Sequence, residues 1–319
     1  MQALLQAALG YTAVHATSDG LATTPIPGLR MMCVHAPSGP MHSVYRPLVC
    51  LILQGAKQMT VAGEVREVQA GGSVVVTADV PVTGRIVRAS AAEPYCAVAV
   101  EFDLGLLAQL CAEVPAPPVE RPGGHLFVRE AEAAVLDCAA RLVRLLDRPE
   151  AVHLLHPGIT RELHYWLLCG AHGETLRGMA APGGYASRIG EAMRVLRAGF
   201  RGQLTVEQLA AAARMGVTAF HRHFKATTSL TPLQFQKQLR LVEARRLMRD
   251  QGLAASSAAY DVGYQSVPQF TRDYARMFGA PPGRDTREAM RRGDGSPGQA
   301  SGRLAGRPAD DLREVLEHG

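Results

Sequence analysis

Residues 215–225 read MGVTAFHRHFK. Two histidines, an arginine and a lysine surround two phenylalanines, which leaves three chemistries open: metal ligation, acid–base catalysis, or contact with a polyanion. Metal ligation by His221 and His223 fails on geometry. Two residues apart, they point about 200° away from each other around a regular helix and cannot share an ion. His223 is then left to touch phosphate or to pack at the helix edge. Thr218, His221, Arg222 and Lys225 share the face opposite Phe220 and Phe224. Fifty residues on, SVPQFTRDYARMF sets Gln269, Arg272 and Arg276 opposite Phe270 and Tyr274, with Val267 and Pro268 near the helix start. Arginine can hold guanine O6 and N7 in a bidentate fork and glutamine can do the same for adenine, each good pair being worth about 1–3 kcal/mol of discrimination. Matched faces of this kind on two helices point to DNA.

The front half does not carry an enzyme's residues. A metal-dependent barrel needs several histidines and carboxylates converging on one ion. Between 25 and 110 there are only His35 and His42, no His-x-His followed by Glu, and Glu64, Glu67 and Glu101 without partners at useful spacing. No G-x-S-x-G nucleophile elbow is present. The cysteines (33, 50, 96, 111, 138 and 169) form no C-x-x-C pair. Cys33, Cys50 and Cys96 sit in apolar runs and read as inert buried thiols, a thiol redox sensor being the minority alternative. No catalytic residue, metal ligand or cofactor is therefore assigned, and the chain is read as not an enzyme.

The charge separates two jobs. Residues 1–182 hold 13 Lys and Arg against 16 Asp and Glu, a net of −3; residues 183–292 hold 18 against 8, a net of +10; residues 293–319 hold 3 against 5, a net of −2. The basic segment is the candidate for a polyanion. A chain of 319 residues with 47% hydrophobic and 20% charged residues has the composition of an ordinary two-domain protein. The N-terminus lacks a basic n-region and no apolar run reaches the roughly 18 residues a bilayer needs, so the expectation is a cytoplasmic protein with no membrane partner.

Residues 25–103 are rich in Val, Gly and Pro and read as strands broken at QGAK, AGE, AGG and ADVP, the pattern of a small antiparallel barrel or sandwich. After Asp103 three stretches have helical spacing: LGLLAQLCAEV, EAEAAVLDCAARLVRLLD and GITRELHYWLLCGAH. In the second, Val135, Leu136, Ala139, Leu142, Val143 and Leu146 form a stripe that either packs on the barrel or meets its copy in a dimer. Residues 115–124 read as a loop, 179–186 as a linker, and 293–319 as a disordered tail with a possible short helix at its end.

The basic segment is nearly all helix. Ile189, Met193 and Leu196 share a face of the first helix. Thr205 is placed to cap the next, whose Val206, Leu209, Ala210 and Ala213 face inward. Gly216 is expected at a positive φ, and Thr218 is expected to cap the helix that follows. Pro232 opens a long helix. Gly263 then ends another, and Ser266 caps the next with Pro268 in its first turn. Matching Phe220-x-Arg222-x-Phe224 with Phe270-x-Arg272-x-Tyr274 gives an offset of 50, whereas Gly216 against Gly263 gives 47, so the second turn is expected to be three residues longer. This is an imperfect duplication of a helix-turn-helix, able to place two helices in successive major-groove turns roughly 34 Å apart if the joining helix is rigid.

The pieces LTVEQLAAAARMGVTAFHRHFK, TPLQFQKQLRLVEARRLM and AAYDVGYQSVPQFTRDYARMFGAPP resemble the AraC/XylS family of bacterial transcription regulators. PLVCLILQGAKQMTVAG and ADVPVTGRIV resemble the cupin-like effector domain of one subgroup. Together they cover roughly residues 20–290. The resemblance implies an α+β chain: a cupin-like β-barrel with a helical extension over 20–178, a linker over 179–186, and an all-α domain with two helix-turn-helix units over 187–290. It also implies one recognition helix per unit, with Thr218, His221 and Arg222 base-facing in the first and Val267, Pro268, Gln269 and Arg272 in the second. The implied protein is a dimeric, sequence-specific regulator of double-stranded promoter DNA that answers to an unidentified small-molecule effector, with RNA polymerase as a further partner. Two departures stand out. Ser229 occupies a position where the family often has Gly, so that turn is expected to be strained or shifted. Pro268 sits one place late and offers no side-chain donor. The cupin metal motif is absent. Two other readings of the residues stay open here: a cupin-type enzyme fused to a basic DNA-binding module, and a ligand-free architectural DNA-binding protein.

Overall fold

The computed structural model describes residues 1–17, 19–61, 64–114, 126–180 and 185–293. The front half opens with a helix, α1 (Gln2–His15), and then runs through β1 (Leu21–Thr23), β2 (Leu29–Val34), β3 (Met41–Tyr45), β4 (Leu48–Gln54), β5 (Ala56–Val61), β6 (Glu64–Gln69), β7 (Gly72–Val76), β8 (Val80–Arg88) and β9 (Tyr95–Glu101). Helix α2 (Leu104–Glu113) leads to β10 (Leu126–Glu130) and then to α3 (Ala133–Arg144), α4 (Val152–Cys169) and α5 (Gly173–Ala180). The strands pair antiparallel in two sheets, ordered β1-β2-β9-β4-β7-β10 and β3-β8-β5-β6. Among the described residues the two sheets are not hydrogen-bonded into a ring, so the cupin-like barrel is an unclosed pair of facing sheets.

The apolar run of β4 is explained by its position. The larger sheet is buried on both faces, so β4 does not alternate. Val49, Leu51 and Leu53 point into a core with α1 to α5, whereas Leu48 and Ile52 point into a second core between the sheets with Met59, Val68, Val82 and Ile86. Gly55 makes the corner from β4 in one sheet to β5 in the other. Its φ is +77°, and a Cβ there would collide with the backbone of Arg88. The α3 stripe is spent inside the chain: Val135, Ala139, Leu142 and Val143 are buried in the helical core, with Leu136 and Leu146 packed at its margin. α1 sends Leu4 and Ala8 into the same core and α5 adds Leu176 and Met179; neither helix is among the three helical stretches expected in the front half. The loop expected at 115–124 and the tail from 294 lie outside the described residues. Of the expected linker, 179–180 end α5 and 185–186 begin the next helix, and 181–184 lie outside the described residues.

The basic half continues with α6 (Tyr185–Gly199), α7 (Val206–Ala212), α8 (Val217–Thr228), α9 (Pro232–Asp250), α10 (Ala255–Asp261), α11 (Val267–Phe278) and α12 (Pro282–Gly293). Two small cores flank α9. Ile189, Met193, Leu196, Leu209, Phe220 and Phe224 close on its Phe235; Ala258, Val262, Phe270 and Tyr274 close on its Leu241, Ala244, Leu247 and Met248. Polar ties lock α9 to both units. Arg240 donates to the carbonyls of Phe200 (2.7 Å) and Gly202 (2.7 Å) in the α6–α7 turn and to that of Gly263 (3.0 Å) after α10. Gln236 adds bonds to Phe200 O and Gly202 O, both 3.0 Å.

At the other end of α9, the Asp285 carboxylate of α12 accepts from both Nε and Nη2 of Arg245, from Arg249, and from the Tyr274 hydroxyl at 2.7 Å. Burial alone would raise its carboxyl, but the hydrogen bonds from Arg245 and Tyr274 prevail and hold it down at about 2. A folded-state pKa below the unfolded one contributes stability above the unfolded value and loses it as pH falls toward the folded value. Asp285→Asn should therefore cost about 2–3 kcal/mol at neutral pH in urea melts, and the gap from wild type should shrink below roughly pH 4 and close near pH 2. A pH-independent difference would contradict this role.

Candidate nucleic-acid interface

Each half of the interface is set by its turn. Thr205 caps α7 as expected, in a reciprocal pair: its hydroxyl accepts from Gln208 N–H, and its own N–H donates to Gln208 Oε1. The chain then reverses at Arg214, whose φ is +51°. Gly216 has φ −67° and sits as the N-cap of α8 without a side-chain bond. Two expectations are corrected by this. The left-handed residue is Arg214, not Gly216, because the reversal falls one residue after the α7 C-cap. Thr218 is not a cap, because α8 already begins at Val217.

In the second unit the left-handed residue is Gly263, φ +89°, again one residue after the helix C-cap, Val262. A Cβ on Gly263 would strike the carbonyl of Arg201, the loop that Arg240 also gathers in. Arg214 is thus the counterpart of Gly263, at an offset of 49, and the helix starts Val217 and Val267 at 50. The second turn is one residue longer, not three; the glycine-to-glycine match paired non-equivalent positions. Ser266 caps α11, its hydroxyl accepting from Gln269 N–H, with Pro268 in the first turn. Ser229 adopts the left-handed C-cap of α8 at φ +63°, matching Gly279 of α11 at +78°, each N–H donating four residues back, to Lys225 O and Ala275 O. The expected strain at Ser229 takes this form; the turn is not shifted.

Phe220, Phe224, Phe270 and Tyr274 are all fully buried. Thr218, His221, Arg222 and Lys225 are exposed on α8, and Pro268, Gln269, Arg272 and Arg276 on α11. Val267 is half-buried against the second core, which leaves it little surface to offer. Arg276 meets Asp273 only at 3.9 Å and is 82% exposed, so its charge stays available. His223 does not join the outer face. Its ring stacks on Tyr185 of α6, centroids 3.6 Å apart and planes at 12°, with Arg222 Nη2 at 3.4 Å from its Nε2. Partial burial, then the Arg222 charge, hold this imidazole below its usual range, which suits a neutral packing residue.

Other chemistry finds no constellation. Among the described residues no group of three or more His, Cys, Asp and Glu side chains could hold a metal ion, and no helix is long and apolar enough to cross a membrane. The cysteines are free; burial raises Cys33 and Cys50 and pushes Cys96 up to about 12, which keeps the thiol rather than the nucleophilic thiolate.

Much of the basic excess is not on the outer face at all. Arg240, Arg245 and Arg249 serve inside the helical half. Arg197 of α6 reaches the front half, where it pairs with the buried Asp79 and donates to Tyr45 O at 3.4 Å. Around it Val44 of β3 packs into the first helix-turn-helix core, and His42 meets Phe278 edge-on at 5.5 Å. Arg249 also holds Asp19 at 2.9 Å. No sequence signal marks this contact between the halves, since its members are far apart in the chain and lie on unrelated elements.

A two-sheet domain covered by helices, followed by two helix-turn-helix units on a shared helix, defines a two-domain helix-turn-helix protein. The family model described as the AraC-type transcriptional regulator N-terminus matches residues 25–175, and a helix-turn-helix domain model matches 209–288. The chain belongs to the AraC/XylS family. It is 29% identical over 103 residues to the HTH-type transcriptional activator RhaS of Escherichia coli O157:H7, covering 32% of this chain and 37% of RhaS. It is 25% identical over 164 residues to RhaS of Enterobacter sp. (strain 638), covering 50% and 58%. Against the HTH-type transcriptional regulator GbdR of Pseudomonas aeruginosa it is 26% identical over 103 residues, covering 32% and 28%. The chain thus spans well under two thirds of each of these relatives. In fold it is similar to ToxT of Vibrio cholerae strain SCE256 with an unsaturated fatty acid bound, at TM-score 0.56 and 8% identity over 80% of this chain and 92% of ToxT. It is also similar to ToxT of strain O395 bound to (E)-4-(8-methylnaphthalen-1-yl)but-3-enoic acid, at TM-score 0.57 and 9% identity over 86% and 99%.

The left-handed serine has a measurable consequence. Ser229→Gly should raise stability by about 0.5 kcal/mol, the relief of left-handed strain exceeding the added freedom of the unfolded chain. Thermal melts of the two proteins check this, and a lower Tm for the glycine variant would refute it.

Proposed function

We propose that the protein is a sequence-specific, double-stranded-DNA-binding transcription regulator that works in the cytoplasm as a homodimer, with a small-molecule effector received by the front domain and RNA polymerase as a further partner. The observation that carries this reading is the matched pair of outer faces. Thr218, His221, Arg222 and Lys225 on α8, and Gln269, Arg272 and Arg276 on α11, are exposed, while the aromatic residues behind them are buried on either side of one rigid helix. Arg222 and Arg272, one in the middle of each helix, are the base-reading candidates; Gln269 is the adenine-type reader; Lys225 and Arg276, a turn later, suit phosphates. Val267 and Pro268 contribute at most apolar contact. Membership of the AraC/XylS family supports the regulator reading, and the ligand-bound ToxT structures support an effector.

The test is binding of promoter fragments at rising salt. About six phosphate contacts make affinity fall roughly a thousandfold between about 50 and 200 mM salt. Arg222→Ala and Arg272→Ala should each weaken the specific site by about 1–3 kcal/mol and random DNA far less, whereas Lys225→Ala should weaken both alike and reduce the salt slope by about one. A protein with no DNA affinity at low salt would sink the proposal. Equal losses on specific and random DNA would remove base reading from the two arginines.

A further inference from the structure

Cys33 of β2 and Cys96 of β9 are partners in the antiparallel register. Their pairing type follows from the bonds around them. In an antiparallel pair of strands, hydrogen-bonded and non-hydrogen-bonded partners alternate. Glu101 N–H donates to Gly28 O at 3.0 Å, so Gly28 and Glu101 are a hydrogen-bonded pair just before β2 begins. Counted along the register, Arg30 with Ala99 and Met32 with Ala97 are hydrogen-bonded, and Cys33 with Cys96 is not. The backbone of Cys33 agrees: its N–H turns away from β9 and donates to Gly20 O at 2.8 Å. Partners of this type have Cα atoms about 4.5 Å apart and side chains at their closest. A disulfide spans Cα separations of about 4.4–6.8 Å, so this pair sits at the short end of the permitted range.

Both side chains lie on one face of the sheet. Leu29, Met31 and Cys33 alternate with less buried residues along β2, and Cys96, Val98 and Val100 join Leu29 and Met31 in the core beneath the helices. Cys50 packs on the opposite face, against the core between the sheets, and is not a rival partner. The two thiols differ in their surroundings. Cys96 is 0% exposed, and burial pushes it up to about 12. Cys33 is 8% exposed near the end of β2, and its Sγ lies 3.7 Å from Nε2 of the exposed His35. Burial raises the Cys33 thiol too, while the Thr12 hydroxyl beside it acts in the other direction. Neither cysteine rests as a thiolate, so reaction at Cys33 needs a base, and an imidazole in contact with the sulfur supplies one.

We propose that Cys33 and Cys96 form a reversible cross-strand disulfide with hydrogen peroxide as the oxidant, Cys33 reacting first and Cys96 resolving. Cys33 Sγ attacks one peroxide oxygen, His35 takes the thiol proton, and the O–O bond breaks. The departing hydroxide collects that proton as water and leaves Cys33 as a sulfenic acid. Cys96 Sγ then attacks the Cys33 sulfur, the S–OH bond breaks, and the Cys96 proton leaves with the hydroxide as a second water. Two thiols lose two electrons and one peroxide gains them. The short Cα spacing keeps the bond readily reduced by a dithiol. This inference goes beyond the regulator reading and does not depend on it. The pair also lies close to the contact with the helical half. Gly20, which accepts the Cys33 N–H and where a Cβ would strike Cys33 O, adjoins Asp19, the partner of Arg249 at 2.9 Å. Closing the pair draws the end of β2 toward β9 and away from that turn.

The experiment treats the full-length chain with a small excess of hydrogen peroxide under native conditions, blocks the remaining thiols with N-ethylmaleimide, and maps the non-reduced peptides by mass spectrometry. A Cys33–Cys96 cross-link should appear with a mass loss of about 2 Da and vanish with dithiothreitol. Cys96→Ala should stop at a Cys33 sulfenic acid that dimedone traps, Cys33→Ala should leave Cys96 unoxidised, and Cys50→Ala should form the bond as wild type does. His35→Gln, at an exposed position that leaves the core intact, should slow cross-linking about tenfold or more, and it carries the test if a core variant does not fold. The oxidised chain should exchange amide hydrogens over residues 19–23 several-fold faster than the reduced one. Native wild type that yields no Cys33–Cys96 cross-link, or that is oxidised at the exposed Cys169 with the pair untouched, overturns the proposal. Cross-linking of His35→Gln at the wild-type rate removes His35 from the step, and unchanged exchange over 19–23 removes the link to the turn.

Discussion

The guanidinium of Arg240 gathers four carbonyls, those of Phe200, Arg201, Gly202 and Gly263, onto the middle of α9. Three of these belong to the turn that leads into the first helix-turn-helix, and the fourth lies in the turn between the two helices of the second. Arginine suits the position because its planar fork presents several donors in a fixed geometry, and an ammonium at the same place would reach fewer of them. The two small cores flanking α9 share almost no side chains. Without a polar tie between them, their relative rotation would depend on the stiffness of a single helix. With it, the spacing between α8 and α11 becomes a property of the whole domain.

The front half is organised by a different constraint, a sheet that must bury both faces. Helices α1 to α5 cover one side and the smaller sheet covers the other, which is why β4 and β7 are continuous apolar runs. The space between the sheets then has no access to solvent polarity, and any charge within it must be met from inside. Lys57 and Tyr95 stand out against that background, the first donating to the Tyr45 hydroxyl and the second with no hydroxyl partner among the described residues. Their neighbour β3 faces both ways: Tyr45 looks toward the interior, while Val44 and His42 meet the helical half. One short strand therefore joins the space between the sheets to the helical half.

Reading the chain in one dimension was most effective where the period is strong and the chemistry local. The burial of Phe220, Phe224, Phe270 and Tyr274, the exposure of Thr218, His221, Arg222 and Lys225, and the Thr205 and Ser266 caps all follow from spacing or residue type, and the structure has each of them. Residue type is a weaker guide to conformation. Gly216 and Gly263 share a residue type but not a conformation, since the left-handed position of the first unit falls on Arg214. Glycine is permissive rather than obligatory at such a turn, so the identity of the residue does not locate it. His223 shows a related limit: its stacking on Tyr185 depends on the approach of α6, which no periodicity within α8 can report.

The amino-acid sequence by itself determined the division into a β-rich front and a basic helical back, and the exposed faces of α8 and α11, because each of these is written in local periodicity, capping and charge. Only the tertiary structure decided which of the basic residues remain outside. Arg240, Arg245, Arg249 and Arg197 count equally with Arg222 and Arg272 in any tally of charge, yet they are consumed by carbonyls and carboxylates brought to them from distant parts of the chain. The environment of Lys57 is likewise invisible in QGAKQM. Whether a lysine faces water or a dry space between sheets depends on what folds over it, and that is a property of packing, not of neighbours in sequence.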